Sequence, residues 1–148
     1  MTQEDKQLLL VDLSARLPYG VIVRHADYLV DSDGNYTGQF WYKHGYLCDV
    51  CKLDDMTTTI IESEGSDNEG YEHVCFLERT LPYLRPMSSM TEEERKIYAK
   101  LLFADLGGVY EDYYKALDYL NAHHFDYRGL IERGLAIEIT KENNPYEN

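Results

Sequence analysis

Three cysteines and one histidine have side chains that could bind a metal ion. Cys48 and Cys51, three residues apart, are followed by His73 and Cys75, and thiolates with imidazole are typical ligands of structural zinc. Residues 46–53 have a strand pattern, however, and strand residues three apart point to opposite faces. Neither residue between the first two cysteines is a turn-forming Gly or Pro. We therefore predict core packing for these side chains, with no metal and no cofactor, and keep a metal site built from them as the alternative.

A second cluster could perform acid–base chemistry. His123 and His124 precede Asp126, Tyr127 and Arg128, and histidine titrates near neutrality when a carboxylate can orient it. Helix dipoles also favour histidine in a last turn, and Asp126 has the position of an N-cap. We predict a structural role, and retain both histidines, Tyr127 and Arg128 as candidate binding residues. The chain lacks a glycine-rich phosphate loop, a nucleophile elbow and a His-Glu-x-x-His motif, so we predict no catalytic residue.

Tyrosine is unusually abundant, with 14 residues in 148 against one Trp and four Phe. A tyrosine ring supplies apolar contact area and its hydroxyl tolerates water, which is why tyrosine is enriched in protein interfaces. The predicted helix 109–122 carries tyrosines around most of its circumference. We expect this helix to bury Tyr113, Leu117 and Leu120, and we select Tyr110 and Tyr114 as candidate binding residues.

The net charge of −13 opposes direct binding to nucleic acid or to an anionic membrane, because both would repel such a surface. Residues 54–78 contain no Lys or Arg and carry a run of acidic side chains, which are Asp54, Asp55, Glu62, Glu64, Asp67, Glu69, Glu72 and Glu78. A solvated acidic loop between strands accounts for this run. The alternatives are a surface that imitates DNA phosphate and inhibits a nucleic-acid enzyme, a contact for a basic protein partner, and a weak cation site.

The first elements are a helix and several strands. Thr2 and Asp5 have capping-box spacing, Leu10, Leu13 and Leu17 recur on one helical face, and Pro18 ends the helix. Short strands are then predicted at 21–30, 36–43, 46–53, 57–62 and 71–77, with a hairpin loop at 31–35 and a tight connection at 44–45. Because neighbours in sequence usually pair, we expect an antiparallel meander of about five or six strands.

The last third of the chain has helical periodicity. Either Ser89 with Glu92 or Thr91 with Glu94 forms a capping box, and a first helix ends at Gly107–Gly108. The helix 109–122 follows, and a short third helix is predicted after Asp126, with Phe125 as its hydrophobic staple. Residues 135–139 are expected to form a final strand at the sheet edge, and the polar tail after them to fray.

The length is that of one domain, so we predict a single α+β domain over residues 1–148. An N-terminal helix and sheet occupy 1–80, a helical segment and final strand 81–140, and a polar tail 141–148. No apolar run is long enough to span a bilayer, the first residues are polar, and the number of cysteines is odd. These features predict a cytoplasmic protein with free thiols.

Three segments, at 13–21, 83–90 and 118–131, carry a resemblance. They read LSARLPYGV, YLRPMSSM and DYLNAHHFDYRGLI, and they resemble a family of small uncharacterised proteins associated with gut anaerobes, their prophages and mobile elements. Because no activity is attached to that family, the resemblance implies no catalytic or binding residue. The association with mobile elements implies a regulator or inhibitor that acts on a protein.

These observations lead to one main hypothesis and two alternatives. The main hypothesis is a non-enzymatic module that binds a protein partner, because an acidic, tyrosine-rich surface fits binding better than catalysis. The first alternative is a metal-binding protein or small enzyme that uses the Cys/His set or the His123–His124 region. The second is the acidic inhibitor that imitates DNA. The sequence leaves the partner and the oligomeric state open.

Overall fold

The computed structural model describes residues 1–53, 56–63, 71–103 and 111–147, and it has the predicted α+β architecture. The described residues contain three α-helices and seven β-strands. The helices are α1 (Gln3–Arg16), α2 (Glu92–Phe103) and α3 (Glu111–Ala122). The strands are β1 (Ile22–Val30), β2 (Tyr36–Leu53), β3 (Met56–Ser63), β4 (Tyr71–Phe76), β5 (Thr80–Pro86), β6 (Phe125–Asp126) and β7 (Ile137–Glu138).

The predicted capping box begins α1. The Thr2 hydroxyl accepts a hydrogen bond from the Asp5 backbone N–H at 3.1 Å, and the Asp5 carboxylate accepts one from the Thr2 N–H at 3.0 Å. These bonds satisfy backbone donors that a helix start otherwise leaves unpaired. The buried face of α1 differs from the predicted stripe, because Leu9 and Leu13 are fully buried whereas Leu10 and Leu17 are only partly buried.

The strands β1 to β4 form the predicted antiparallel meander. The Asp31 carboxylate accepts hydrogen bonds from the backbone N–H groups of Asp33 and Asn35 in the first hairpin loop. The predicted connection at 44–45 is wrong, because β2 runs through it as one strand. A Cβ atom at Gly45 would lie 2.5 Å from Ile61 Cγ2 and 2.7 Å from the Glu62 carbonyl oxygen. The glycine therefore permits close approach of two strands, and it marks no turn.

The sheet is mixed, which corrects the prediction of a purely antiparallel meander with five or six strands. The order is β4-β3-β2-β1-β5-β6, and β7 also pairs with β5. β5 is antiparallel to β1 but parallel to β6 and β7. Parallel pairs need a long connection, which is supplied here by the chain that contains α2 and α3. The predicted final strand at 135–139 is present as the shorter β7.

The helical segment matches the prediction in part. Thr91 and Glu94 form the capping box of α2, with Glu94 accepting from the Thr91 N–H at 2.8 Å. The expected stop at Gly107–Gly108 and the start of the next helix lie outside the described residues. Tyr113 is 58% exposed, so its predicted burial is wrong, and Leu117 is only partly buried. Leu120 is buried as predicted, together with Ala116.

The third predicted helix is replaced by a hydrogen-bonded turn at 130–134. The Asp126 carboxylate still has a capping role, because it accepts hydrogen bonds from the N–H groups of Leu130 and Ile131 at 2.9 and 2.8 Å. Phe125 is fully buried in a small cluster with Met90 and Leu120. Asp126 thus satisfies backbone donors as predicted, although too few of the residues after it are in helical conformation to form a helix.

The main core lies between α1 and one face of the sheet, called here the inner face. Leu9 and Leu13 of α1 belong to this core with Val23, Leu47 and Ile61 of the strands. The sheet is curved enough for Cys75 of β4 to meet His25 of β1 across the inner face.

Among the described residues, every helix is too short or too polar to cross a membrane.

Candidate functional site

The outer face of the β1–β2 hairpin carries a cluster of exposed aromatic side chains. Strand register places Tyr28 opposite Phe40 and Ala26 opposite Tyr42, so these residues share one face. The Tyr28 ring contacts the rings of Phe40 and Tyr36, with centroids 5.1 Å away in each case. All four aromatic residues are exposed, and Tyr42 has 59% of its surface accessible. We call Tyr28, Tyr36, Phe40 and Tyr42 the aromatic face.

Two arginine side chains lie over these rings. The guanidinium carbon of Arg24 is 4.7 Å from the centre of the Tyr42 ring. The guanidinium carbon of Arg79 lies 4.5 Å from the Tyr28 ring and 4.7 Å from the Phe40 ring, and its Nη2 donates a hydrogen bond of 2.6 Å to the Tyr28 hydroxyl. Cations attract the negative face of an aromatic ring, so these contacts order both the arginines and the rings.

The arginines and rings line a pocket of about 200 Å³. Its lining residues are Arg24, Ala26, Phe40, Tyr42, Glu78, Arg79 and Leu81. The Glu78 carboxylate forms an ion pair with Lys6, whose hydrogen bond lowers the pKa of Glu78. Arg79 and Glu78 also line a neighbouring cavity of about 470 Å³, between the start of α1 and the ends of β3 and β4.

The two pocket arginines form no ion pair with an acidic side chain that the structure describes, unlike four other arginines of the chain. Arg16, Arg85, Arg128 and Arg133 each form an ion pair with Asp or Glu. Among the described side chains, no carboxylate lies within salt-bridge distance of Arg24 or Arg79. The pocket is therefore a local positive site on a chain of net charge −13, and chemically it can hold an anion beside an apolar surface.

Tyr127 and Arg128, two of the predicted binding residues near His123, are partly buried and contact a buried ion pair of α1. Asp12 and Arg16 of α1 are fully buried, and Arg16 donates to both Asp12 oxygens at 2.7 and 3.0 Å. Arg16 also donates to the Phe125 carbonyl at 2.8 Å, and Arg128 donates to Asp12 at 2.9 Å. The Tyr127 ring contacts both guanidinium groups. Tyr127 and Arg128 thereby tie the C-terminal turn to α1.

His124 has little capacity for acid–base work near neutral pH. Burial, followed by the positive charge of Arg16, lowers the pKa of His124 from 6.5 to about 4. Its backbone has a positive φ of 60°, and its ring stacks on Tyr146. His123 is exposed, and its ring contacts Tyr119 with centroids 4.3 Å apart. The two adjacent histidines therefore occupy different environments, and burial keeps His124 neutral.

The candidate tyrosines on the helix have a simpler outcome. Tyr114 is 66% exposed on α3, and Tyr110 lies outside the described residues.

Three residues of the predicted acidic run are described. Glu62 and Glu72 lie opposite each other on β3 and β4, while Glu78 is paired with Lys6. The other five acidic positions, Asp54, Asp55, Glu64, Asp67 and Glu69, also lie outside the described residues.

The candidate metal ligands point to different faces of the sheet. Cys51 is in register with Thr58 and Phe76, whereas Cys75 is in register with Thr59, one residue further along. Because successive side chains of a strand point to opposite faces, Cys51 lies on the outer face, and Cys75 and His73 lie on the inner face. Cys48 is exposed at a β-bulge and Cys51 is only partly buried, so the predicted core packing is wrong for Cys48 and is confirmed for Cys75. Within the described part of the chain, no group of three or more His, Cys, Asp or Glu residues could hold a metal ion.

A thiol and an imidazole do meet on the inner face. Cys75 Sγ lies 3.3 Å from His25 Nδ1, and the hydroxyls of Thr59 and Thr80 are 2.7 Å apart in the same interior. A thiol beside an imidazole is the arrangement of a cysteine nucleophile and its base. His25 is fully buried and Cys75 is 8% exposed, so a substrate has no access to them. The contacts satisfy polar groups inside the core.

The pocket was not predicted from the sequence, although the pattern of the first hairpin contains part of it. Counting outward from the hairpin loop at 31–35 pairs position 28 with 38, 26 with 40 and 24 with 42; a β-bulge between Tyr28 and Val30 shifts the actual partners by two residues, which leaves the same side chains on the same face. This count brings an arginine and three aromatic residues to one face. Arg79 had no such signal, because it lies 51 residues from Tyr28 and reaches it through the tertiary fold.

Comparison of the chain with family models, curated proteins and solved structures finds no match. The geometry of its own residues is therefore the basis for a functional proposal.

Proposed function

We propose that this chain is a non-enzymatic interaction module that binds a protein partner through its aromatic face and the two arginines above it. One observation carries this proposal: Arg24 and Arg79 lie 4.5 to 4.7 Å above exposed aromatic rings, and no described carboxylate forms a salt bridge with them. Tyr and Arg are the residues that most often dominate binding energy in protein interfaces.

The fixed positions of these side chains before binding also support the proposal. Each ring and guanidinium group is held by its neighbours, so binding would immobilise few side chains that were free before. Immobilising one flexible side chain costs roughly 0.5–1.5 kcal/mol in an interface. A surface that is ordered before binding avoids much of that cost. Scattered exposed aromatic residues would lack this advantage.

The other two hypotheses receive less support from the geometry. A zinc site or thiol chemistry would need Cys48 and Cys51 to join His73 and Cys75, which lie on the opposite face. Phosphate imitation would need the acidic run to form one surface, and most of that run is outside the described residues. The resemblance to proteins of mobile elements is compatible with a regulator that binds a protein.

Site-directed photo-crosslinking in cells that naturally make the protein tests the proposal. A photoreactive phenylalanine replaces Tyr42 in one variant and Tyr114 in the other, which is the matched control because both tyrosines are highly exposed. We expect a discrete protein adduct from position 42 and none from position 114. Adding Arg79→Gln to the first variant should remove the adduct.

The absence of an adduct at position 42 contradicts the proposal. If position 114 gives an adduct instead, the binding surface is on α3, where the sequence predicted Tyr114 to bind.

A further inference from the structure

The pocket under Arg24 and Arg79 has the size of one side chain. Its volume of about 200 Å³ is below the roughly 300–1,000 Å³ of pockets that enclose small-molecule ligands or cofactors. Ala26 is the small residue of its lining, opposite Tyr42, and Phe40 and Leu81 supply apolar walls. This pocket can therefore receive a short group from a larger partner.

The charge of the pocket selects the chemistry of that group. Stacking on rings uses the flat faces of the Arg24 and Arg79 guanidinium groups, so their N–H edges can still donate. One Arg79 nitrogen already donates to the Tyr28 hydroxyl, which positions the guanidinium plane. Glu78, the acidic residue of the lining, is held by Lys6. The planar guanidinium fork matches a planar carboxylate in two parallel hydrogen bonds.

We propose that this pocket receives an Asp or Glu carboxylate of the protein partner, whose methylene stem packs on Phe40 and Tyr42. The inference rests on the proposed function, because it assumes that the aromatic face is the binding surface. A carboxylate carries one negative charge, so the net charge of −13 repels it less than it repels a phosphate dianion. The same net charge opposes a second copy of this chain as the partner.

Small probes test the pocket without the partner. Phenylacetate offers a carboxylate beside an apolar ring, and phenylacetamide is its neutral counterpart of the same shape. Each is titrated into isotope-labelled protein while NMR follows the Nε–H groups of Arg24 and Arg79 and the methyl group of Ala26. We expect phenylacetate to shift these signals and phenylacetamide to bind about tenfold more weakly or worse, because it loses the charge-assisted hydrogen bonds.

Variants then locate the binding. Ala26→Leu fills the pocket and should weaken phenylacetate binding about tenfold or more, whereas Ala26→Ser keeps the space and should preserve it. Arg79→Gln retains a long polar side chain without the charge and should weaken binding without filling the pocket. The backbone amide spectrum of each variant reports whether the fold is intact.

Several results overturn the inference. Equal binding of phenylacetate and phenylacetamide would remove the role of the carboxylate, and undiminished binding in both Ala26→Leu and Arg79→Gln would place the site elsewhere. Tighter binding of inorganic phosphate than of phenylacetate would assign the pocket to phosphate. Self-association that strengthens with protein concentration and disappears in Ala26→Leu would identify a second copy as the occupant.

The two proposals can fail separately. An adduct at position 42 without phenylacetate binding would contradict the carboxylate pocket but not the proposal that the aromatic face binds a protein. Phenylacetate binding without an adduct would contradict the protein-interaction function and leave a carboxylate site.

Discussion

The Tyr146 ring stacks on the His124 ring, with centroids 4.0 Å apart and planes 12° from parallel. The Tyr146 hydroxyl accepts a hydrogen bond from the Ile22 N–H at 2.9 Å and donates one to the Tyr83 carbonyl at 3.1 Å. Burial raises the pKa of Tyr146. One side chain thus joins the end of the chain to β1, β5 and the turn after α3. The prediction of a frayed polar tail is therefore wrong.

Replacing Tyr146 by Phe should destabilise the protein. The ring would remain, but the Ile22 N–H and the Tyr83 carbonyl would lose their partner, which costs about 1–3 kcal/mol for buried groups. Urea unfolding measures the difference, and Tyr113→Phe is the control because that hydroxyl is on an exposed side chain. Equal stability of the Tyr146 variant and the parent would show that the two hydrogen bonds of the hydroxyl do not contribute to stability.

His124 should make stability depend on pH in a defined window. Its pKa is about 4 in the fold and 6.5 ordinarily, so the unfolded chain takes up the proton first as pH falls. The free energy of unfolding should therefore decrease as pH falls from 6.5 towards 4. His124→Asn, whose side chain tolerates a positive φ, should flatten the slope between pH 6.5 and 5.

The neighbouring His123 provides the control for this measurement, because its side chain is exposed. His123→Gln should preserve most of the slope seen in the parent, because burial is the largest cause of the lowered pKa of His124. A slope that is unchanged in His124→Asn would show that another group accounts for it.

The Asp12–Arg16 and Glu92–Lys96 pairs have the same helical spacing but opposite environments. Asp12→Asn leaves Arg16 and Arg128 without their shared buried carboxylate, and breaking a buried pair costs roughly 3–5 kcal/mol. Glu92→Gln breaks an exposed pair and should cost only about 0–1 kcal/mol. Chemical denaturation of both variants compares them directly, and equal costs would contradict the difference in burial.

The Asp126 carboxylate should stabilise the turn after β6. Asp126→Ala removes both of its backbone contacts and should destabilise by about 0.5–2 kcal/mol, the range of a lost cap. Phe125→Ala should cost more, about 3–5 kcal/mol, because its ring is fully buried. Thermal unfolding measures both. Unchanged stability in the two variants would make this segment a functional site rather than a structural one.

The features that were predicted correctly depend on residues close in sequence. The Thr2–Asp5 and Thr91–Glu94 boxes, the loop at Asp31 and the contacts of Asp126 each span at most five residues. Such contacts use backbone groups that the local conformation exposes, so residue type and spacing suffice to identify them. The errors have a different origin. Gly45 resembles a turn residue in sequence, and only its partner strand shows why a side chain is excluded there.

The sequence by itself determined the α+β class, the starts of α1 and α2 and the first hairpin of this protein, because side-chain alternation in strands and helix capping depend on residues a few positions apart. The tertiary structure alone decided the parallel pairing of β5, the anchoring of Tyr146 to Ile22 across 124 positions, and the meeting of Arg79 with Tyr28. Those contacts form when the sheet curves and the chain end returns to it. Their partners are distant in sequence, so no local pattern encodes the pocket that they create.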